Sequence, residues 1–230
     1  NAVSAEVRPF AVRTIAQLPF VRKVELVRSF RRSEPPSPAQ PAPALVLSDP
    51  LVGFYGPSFT QINQIDAWPL HQLGFTGRGV IVCLMDTGFR TQHEIFRQAR
   101  LIAQHDFVND DNDVSQDFGD PNDYSDSHGT GTWSLLGGYK PGELIGPAYG
   151  ADFILAKTET ESFEQPIEED YWAAGIEWAE SLGAEVVSSS LGYIDWYTFP
   201  DMDGQTAVTT RAANRAASLG VVVVNAAGNE

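Results

Sequence analysis

The sequence predicts an α/β fold, a mostly parallel sheet flanked by helices, and three observations carry that expectation. Four apolar runs of strand length recur between residues 80 and 224. The first is uninterrupted, as a strand buried on both faces requires. Helix-like stretches separate the last three runs, so strand, helix, strand, helix and strand follow in order and imply right-handed crossovers. Three of the four runs end in polar, glycine-containing segments. In open α/β sheets, chemistry collects at these carboxyl ends of strands.

The elements follow in chain order. Residues 20–27 mix apolar and charged side chains like a half-buried strand. Residues 34–43 contain five prolines and read as an extended linker. The run 80–85 ends at Asp86-Thr87-Gly88, and 153–156 is a second strand. Residues 166–182 form a helix with Pro166 at its start, acids in its first turn and Gly183 after its end. Tyr171, Ala174, Trp178 and Leu182 follow helical spacing along it. Residues 184–190 are the third strand, ending in Ser189-Ser190-Leu191-Gly192. An alanine-rich helix over 206–219 is stopped by Gly220. The strand 221–224 then leads into Asn225-Ala226-Ala227-Gly228-Asn229.

Charge divides the chain where the prolines do. Residues 1–47 hold seven basic and three acidic residues, net +4, and the remainder holds eight basic and 27 acidic residues, net −19. Such a switch in sign marks a boundary, giving a module at 1–33, a linker at 34–50 and a main domain at 51–230. The total of −15 argues against nucleic-acid and anionic-membrane partners, which need basic surface. No apolar run is long enough to span a bilayer. Cys83 is the one cysteine, so neither a disulfide framework nor a cysteine-based zinc cluster can form. Its place in a buried strand makes it a packing residue.

The segment Asp126-Ser127-His128-Gly129-Thr130-Gly131-Thr132 opens a small-residue helix and puts His128 near the helix N-terminus. The adjacent glycine lets another backbone approach closely. A strand-end Asp86, a helix-start His128 and a strand-end Asn229 form a legible series. The Asp accepts a hydrogen bond from one ring nitrogen, the His moves a proton through the other, and the Asn amide donates to a developing oxyanion.

Together these blocks resemble the subtilisin-like serine peptidases, the subtilases. Leu84-Met85-Asp86-Thr87-Gly88 resembles the aspartate block and His128-Gly129-Thr130 the histidine block. Ser189-Ser190-Leu191-Gly192 resembles the substrate-binding strand and Ala226-Ala227-Gly228-Asn229-Glu230 the oxyanion block. The resemblance implies a serine endopeptidase acting on polypeptides through a Ser-His-Asp mechanism, with Asp86 orienting, His128 as general base and acid, and Asn229 as oxyanion donor. It implies that Ser190, Leu191 and Gly192 line the substrate site. It also implies that residues 1–33 are the end of a propeptide that inhibits its own domain, and that the protein is secreted or held in the cell envelope.

Two departures from the family pattern stand out. Many subtilases carry a second His after His-Gly-Thr, where this chain has Gly131. No Gly-Thr-Ser segment, the usual seat of the nucleophile, occurs in residues 1–230. The expectation is therefore a C-terminally incomplete piece of a subtilisin-like domain, with the serine beyond Glu230, inert alone and open at a strand edge. The alternative is a pseudoprotease, a peptide-binding or scaffold module without a nucleophile.

Other readings fall short. One Asp-Thr-Gly cannot form an aspartic-protease dyad. His93-Glu94 lacks the second His of a zinc-protease helix, since position 97 is Arg. His71, His93 and His105 read as surface or packing residues. Gly77-Arg78-Gly79 precedes its strand and makes no dinucleotide loop. Eight aspartates lie between 106 and 126, with Gln116 where an EF-hand needs Gly. They read as a solvated loop, although the resemblance admits Ca2+ as a structural ion. No cofactor is required and no metal ligand is assigned. The glutamates around 159–169 likewise read as a solvated helix face.

Overall fold

The computed structural model describes residues 7–24, 30–31, 50–116, 125–160 and 163–228. In chain order the elements are α1 (Ala11–Ala16), β1 (Phe30–Arg31), α2 (Pro50–Tyr55), α3 (Phe59–Gln64), α4 (Ala67–Gln72), β2 (Ile81–Asp86), β3 (Arg100–Asp106), α5 (Ser125–Gly137), β4 (Tyr139–Lys140), β5 (Leu144–Ile145), β6 (Asp152–Lys157), β7 (Phe163–Glu164), α6 (Ile167–Ser181), β8 (Val186–Ser189), α7 (Val208–Ser218) and β9 (Val222–Asn225). Five of the strands form one sheet in the order β3-β6-β2-β8-β9, every neighbouring pair parallel.

β2 is the central strand, and its continuous apolar run is explained by cover on both faces. Cys83 and Met85 pack with Ile154, Ala156, Trp172, Ile176 and Val187 under α6 and α7. Val82 and Leu84 pack with Phe89, Trp133, Phe153 and Leu155 under α5. A smaller cluster of Tyr55, Ile62, Ala67 and Ile145 holds α2, α3 and α4 against β5. The Cys83 thiol is wholly buried, and burial pushes it well above the ordinary thiol range. It is packing, as expected from the sequence.

All four predicted strands and both predicted helices are present with ends shifted by a residue or two. The α6 stripe is rotated from the expected one. Trp172, Ile176 and Ala179 are buried, whereas Ala174 is exposed and Leu182 is 41% exposed. Bulky residues occur on both faces of this helix, so spacing alone selects the wrong one. β3 is an element that the sequence pattern does not announce. It is an edge strand of mixed polarity, with a register shift between Leu101 and Ala103 that breaks the two-residue alternation such a pattern relies on. The strand expected over 20–27 is absent where it is described, since 21–24 have no regular structure. Instead Phe30–Arg31 pairs antiparallel with Phe163–Glu164. The linker expected over 34–50 lies outside the described residues except for Pro50.

Candidate active site

The register aligns Asp86 with Lys157 and Met85 with Ser189, and Ser189 with Asn225. Four strands therefore end side by side, and the candidate site lies along that edge.

Asp86 closes β2 and is 1% exposed. Its Oδ1 accepts from the Thr87 amide at 2.8 Å and from His128 Nδ1 at 2.7 Å. Its Oδ2 accepts from the Thr132 hydroxyl at 3.0 Å. A carboxylate oxygen only accepts, so Nδ1 carries the proton and the basic lone pair of the neutral ring is on Nε2. His128 sits in the first turn of α5 with its side chain 55% exposed. One ring nitrogen is thus anchored on a buried carboxylate while more than half of the side chain stays exposed.

The helix approaches the strand end this closely because of Gly129. A Cβ there would fall 2.1 Å from the Gly88 carbonyl oxygen and 2.9 Å from the Phe89 ring. At Gly131, two residues on, nothing lies within 4 Å. The 86–90 turn is clamped further. The Thr87 hydroxyl donates to the Ser125 carbonyl, the Arg90 amide donates to the Thr130 hydroxyl, and the Arg90 guanidinium pairs with Asp126 at 2.9 Å. The Phe89 amide donates to the Val114 carbonyl. Thr132 is a site residue that the sequence motifs do not single out, although its position four residues after His128 puts both on one helix face.

The opposite side is built from the ends of β8 and β9. Ser190 is half-buried, Leu191 is buried in the core and Gly192 is exposed with open space about it. The Trp172 indole donates to the Ser189 hydroxyl at 2.9 Å. The Ala226 amide donates to the Ser189 carbonyl at 2.9 Å, and the Asn225 amide nitrogen donates to the Leu191 carbonyl at 2.9 Å. Asp86, His128, Ser190, Leu191 and Gly192 thus belong to one edge. Asn229 lies outside the described residues.

The glutamates expected on a solvated face are buried, Glu159, Glu168 and Glu169 at 2% each. The donors around Glu168 and Glu169 show how such burial is met. Glu168 accepts from the Thr160 amide, the Thr160 hydroxyl and the Gln165 amide. Desolvation by burial dominates these bonds and raises its pKa. Glu169 accepts from Trp196 Nε1, from the Tyr197 hydroxyl at 2.7 Å and from Thr209. Burial and the nearby Glu169 carboxylate push the Tyr197 phenol up to about 12. The inner end of the acidic loop also departs from expectation. Asp106, wholly buried, pairs with Lys157 at 3.0 Å, so an ammonium group meets the charge in place of solvent. Among the described residues, no three His, Cys, Asp or Glu side chains converge as metal ligands.

A doubly covered parallel sheet thus presents a buried aspartate to Nδ1 of a half-exposed histidine, an arrangement that matches the Asp-His part of a catalytic triad. The chain belongs to the subtilase family, the subtilisin-like serine peptidases, which it matches over residues 77–230. It is 30% identical to subtilisin E of Bacillus subtilis strain 168 over 194 residues, 83% of this chain and 45% of that protein. Against the subtilisin of Bacillus pumilus the identity is 32% over 172 residues, 74% of this chain and 54% of the relative. The minor extracellular protease Vpr of B. subtilis is 32% identical over 173 residues, 73% of this chain and 19% of Vpr. The chain thus spans about half the length of the subtilisins it matches.

Proposed function

We propose that the whole protein is a serine endopeptidase in which Asp86 orients the imidazole, His128 is general base and then acid, and Asn229 donates to the oxyanion. The nucleophile is a serine outside residues 1–230, on the length of the relatives that this chain does not span. In acylation His128 Nε2 takes the serine hydroxyl proton as the oxygen bonds to the scissile carbonyl carbon. The same proton then passes to the leaving amine as the C–N bond breaks. The observation that carries this reading is the 2.7 Å bond from His128 Nδ1 to a carboxylate that is 1% exposed. It sets the tautomer that base catalysis needs.

Residues 1–33 are assigned here as the end of an inhibitory propeptide. The antiparallel pairing of Phe30–Arg31 with Phe163–Glu164 and the opposite charges of the two parts support this. A peptide-bond substrate and a secreted or envelope location belong to the same reading, which requires no cofactor and admits Ca2+ as a structural ion. Among the described residues, no helix is long and apolar enough to cross a membrane.

A fluorophosphonate probe and a chromogenic peptide test the proposal on the full-length protein. Wild type should be labelled and should turn over the peptide, and His128→Ala should lower kcat by several orders of magnitude. Absence of both labelling and turnover would favour a peptide-binding module instead, and near-normal turnover in the variant would remove His128 from the mechanism.

A further inference from the structure

Asn225 is the residue at the candidate site that the mechanism above does not use. It ends β9 and is exposed. Its Nδ2 donates to the Leu191 carbonyl at 2.9 Å and to the Ala226 carbonyl at 3.0 Å. Both partners are carbonyl oxygens, so the bonding atom has to be the amide nitrogen.

The placement of this bond matters for the segment it holds. The Ser189 carbonyl accepts from the Ala226 amide, and that is where the β8–β9 ladder ends, since Ser189↔Asn225 is the last aligned pair. Leu191 lies beyond the ladder. Its carbonyl, two residues after that of Ser189, faces the same β9 side, as the two-residue period of an extended chain requires. The backbone groups of Ser190 and Gly192 then face the other side. There the aligned pairing with β2 ends at Met85, opposite Ser189. The Asn225 side chain thus extends the ladder by one rung after the main chain has stopped supplying rungs.

We propose that Asn225 is a positioning residue that splints the 190–192 segment, so that the Ser190 and Gly192 backbone can pair with an extended substrate. This rests on the peptidase reading and deepens it. Trp172 provides a second anchor on the same strand through the Ser189 hydroxyl, which leaves Asn225 responsible for the outer rung. A polypeptide that forms several main-chain bonds along this segment depends on the splint. A short ester that engages only the reacting groups does not.

The test compares full-length wild type with Asn225→Ala and Asn225→Asp on an extended peptide substrate and on a single-residue ester. For the peptide, KM should rise about tenfold in Asn225→Ala with kcat little changed, the loss of one hydrogen bond and the order it imposes. The ester should change less than about twofold. Asn225→Asp should be worse than Asn225→Ala on the peptide, because a carboxylate oxygen would face the Leu191 carbonyl. Hydrogen–deuterium exchange of the peptide covering 186–194 should quicken in both variants. Equal loss on both substrates, or unchanged exchange, would overturn the inference. If wild type hydrolyses neither substrate, the peptidase reading fails and the exchange comparison alone decides whether the splint exists.

Discussion

The two sides of the candidate cleft are held together differently. On the β2–α5 side, Asp86 is 1% exposed, its carboxylate accepts from the Thr87 amide, His128 and Thr132, and the strand beneath it is covered on both faces. On the β8–β9 side, Trp172 bonds the Ser189 side chain at the end of the ladder, and the segment beyond it is held by the buried Leu191 and Tyr193 side chains and by one bond from Asn225 to the Leu191 carbonyl. One side fixes a carboxylate with several donors, the other holds its outer main chain with a single directional contact above a packed base. Substitutions on the first side should therefore act on folding and chemistry together, while those on the second act on substrate engagement with little cost in stability.

The largest expected effect on the first side is the loss of turnover in His128→Ala, several orders of magnitude in the full-length protein, measured with a peptide substrate. Gly129→Ala comes next. The Cβ would sit 2.1 Å from a backbone oxygen, and neither the strand-end turn nor the helix can yield without breaking the Asp86–His128 bond. A loss of about 3 kcal/mol in denaturant unfolding is expected. Tolerance of this substitution would mean that the helix is not pressed against the strand end.

Thr132→Val should follow, costing about 2 kcal/mol as a charged acceptor loses one donor. The signature of its role is a fall in kcat with KM retained, because a looser carboxylate holds the imidazole less well.

This contrast also explains what can be read in advance. The fold class, four of the five sheet strands and the pairing of Asp86 with His128 are legible because strands of this sheet carry uninterrupted apolar runs, and because glycines mark close approach. β3 is not, since an edge strand with a register shift carries neither signal. Thr132 is recoverable from its four-residue spacing but looks like an ordinary small polar residue. The Asp106–Lys157 pair joins residues 51 positions apart, a distance over which no local pattern connects a lysine to an acidic loop. The buried glutamates escape detection for a related reason. Acids in a first helical turn suit the dipole whether they face solvent or not, and only the positions of Thr160, Gln165, Trp196 and Tyr197 decide which.

Glu168 separates these cases by pH. Burial raises its pKa above the ordinary carboxyl value, so the folded state binds its proton at higher pH than the unfolded chain does. Its contribution to stability is fully present below the unfolded value and is lost as pH rises through the folded one. Glu168→Gln should cost about 1 kcal/mol at neutral pH, because its amide group turns a donor toward a donor. The deficit relative to wild type should widen as pH falls toward 4.5, the ordinary value for this carboxyl. Thermal melts at matched ionic strength read this slope, and a deficit that shrinks on acidification would show that the carboxylate, not the acid, is the favoured buried form.

The smallest expected effect is a gain, and it tests the β2–α5 side most narrowly. Gly131 lies in the interior of α5, exposed, with nothing within 4 Å of the point an alanine Cβ would occupy. A glycine in a helix interior costs about 0.5–1 kcal/mol relative to alanine through backbone entropy. Gly131→Ala should therefore stabilise the protein by about that amount and leave turnover unchanged, although it is two residues from the damaging Gly129→Ala. Opposite signs from the same substitution at both positions would show that contact with the 86–90 turn, rather than helix propensity, governs this segment. A loss at both would mean that the outer face of α5 is also covered in the whole protein, and that the exposed ring of His128 looks into a narrower cleft.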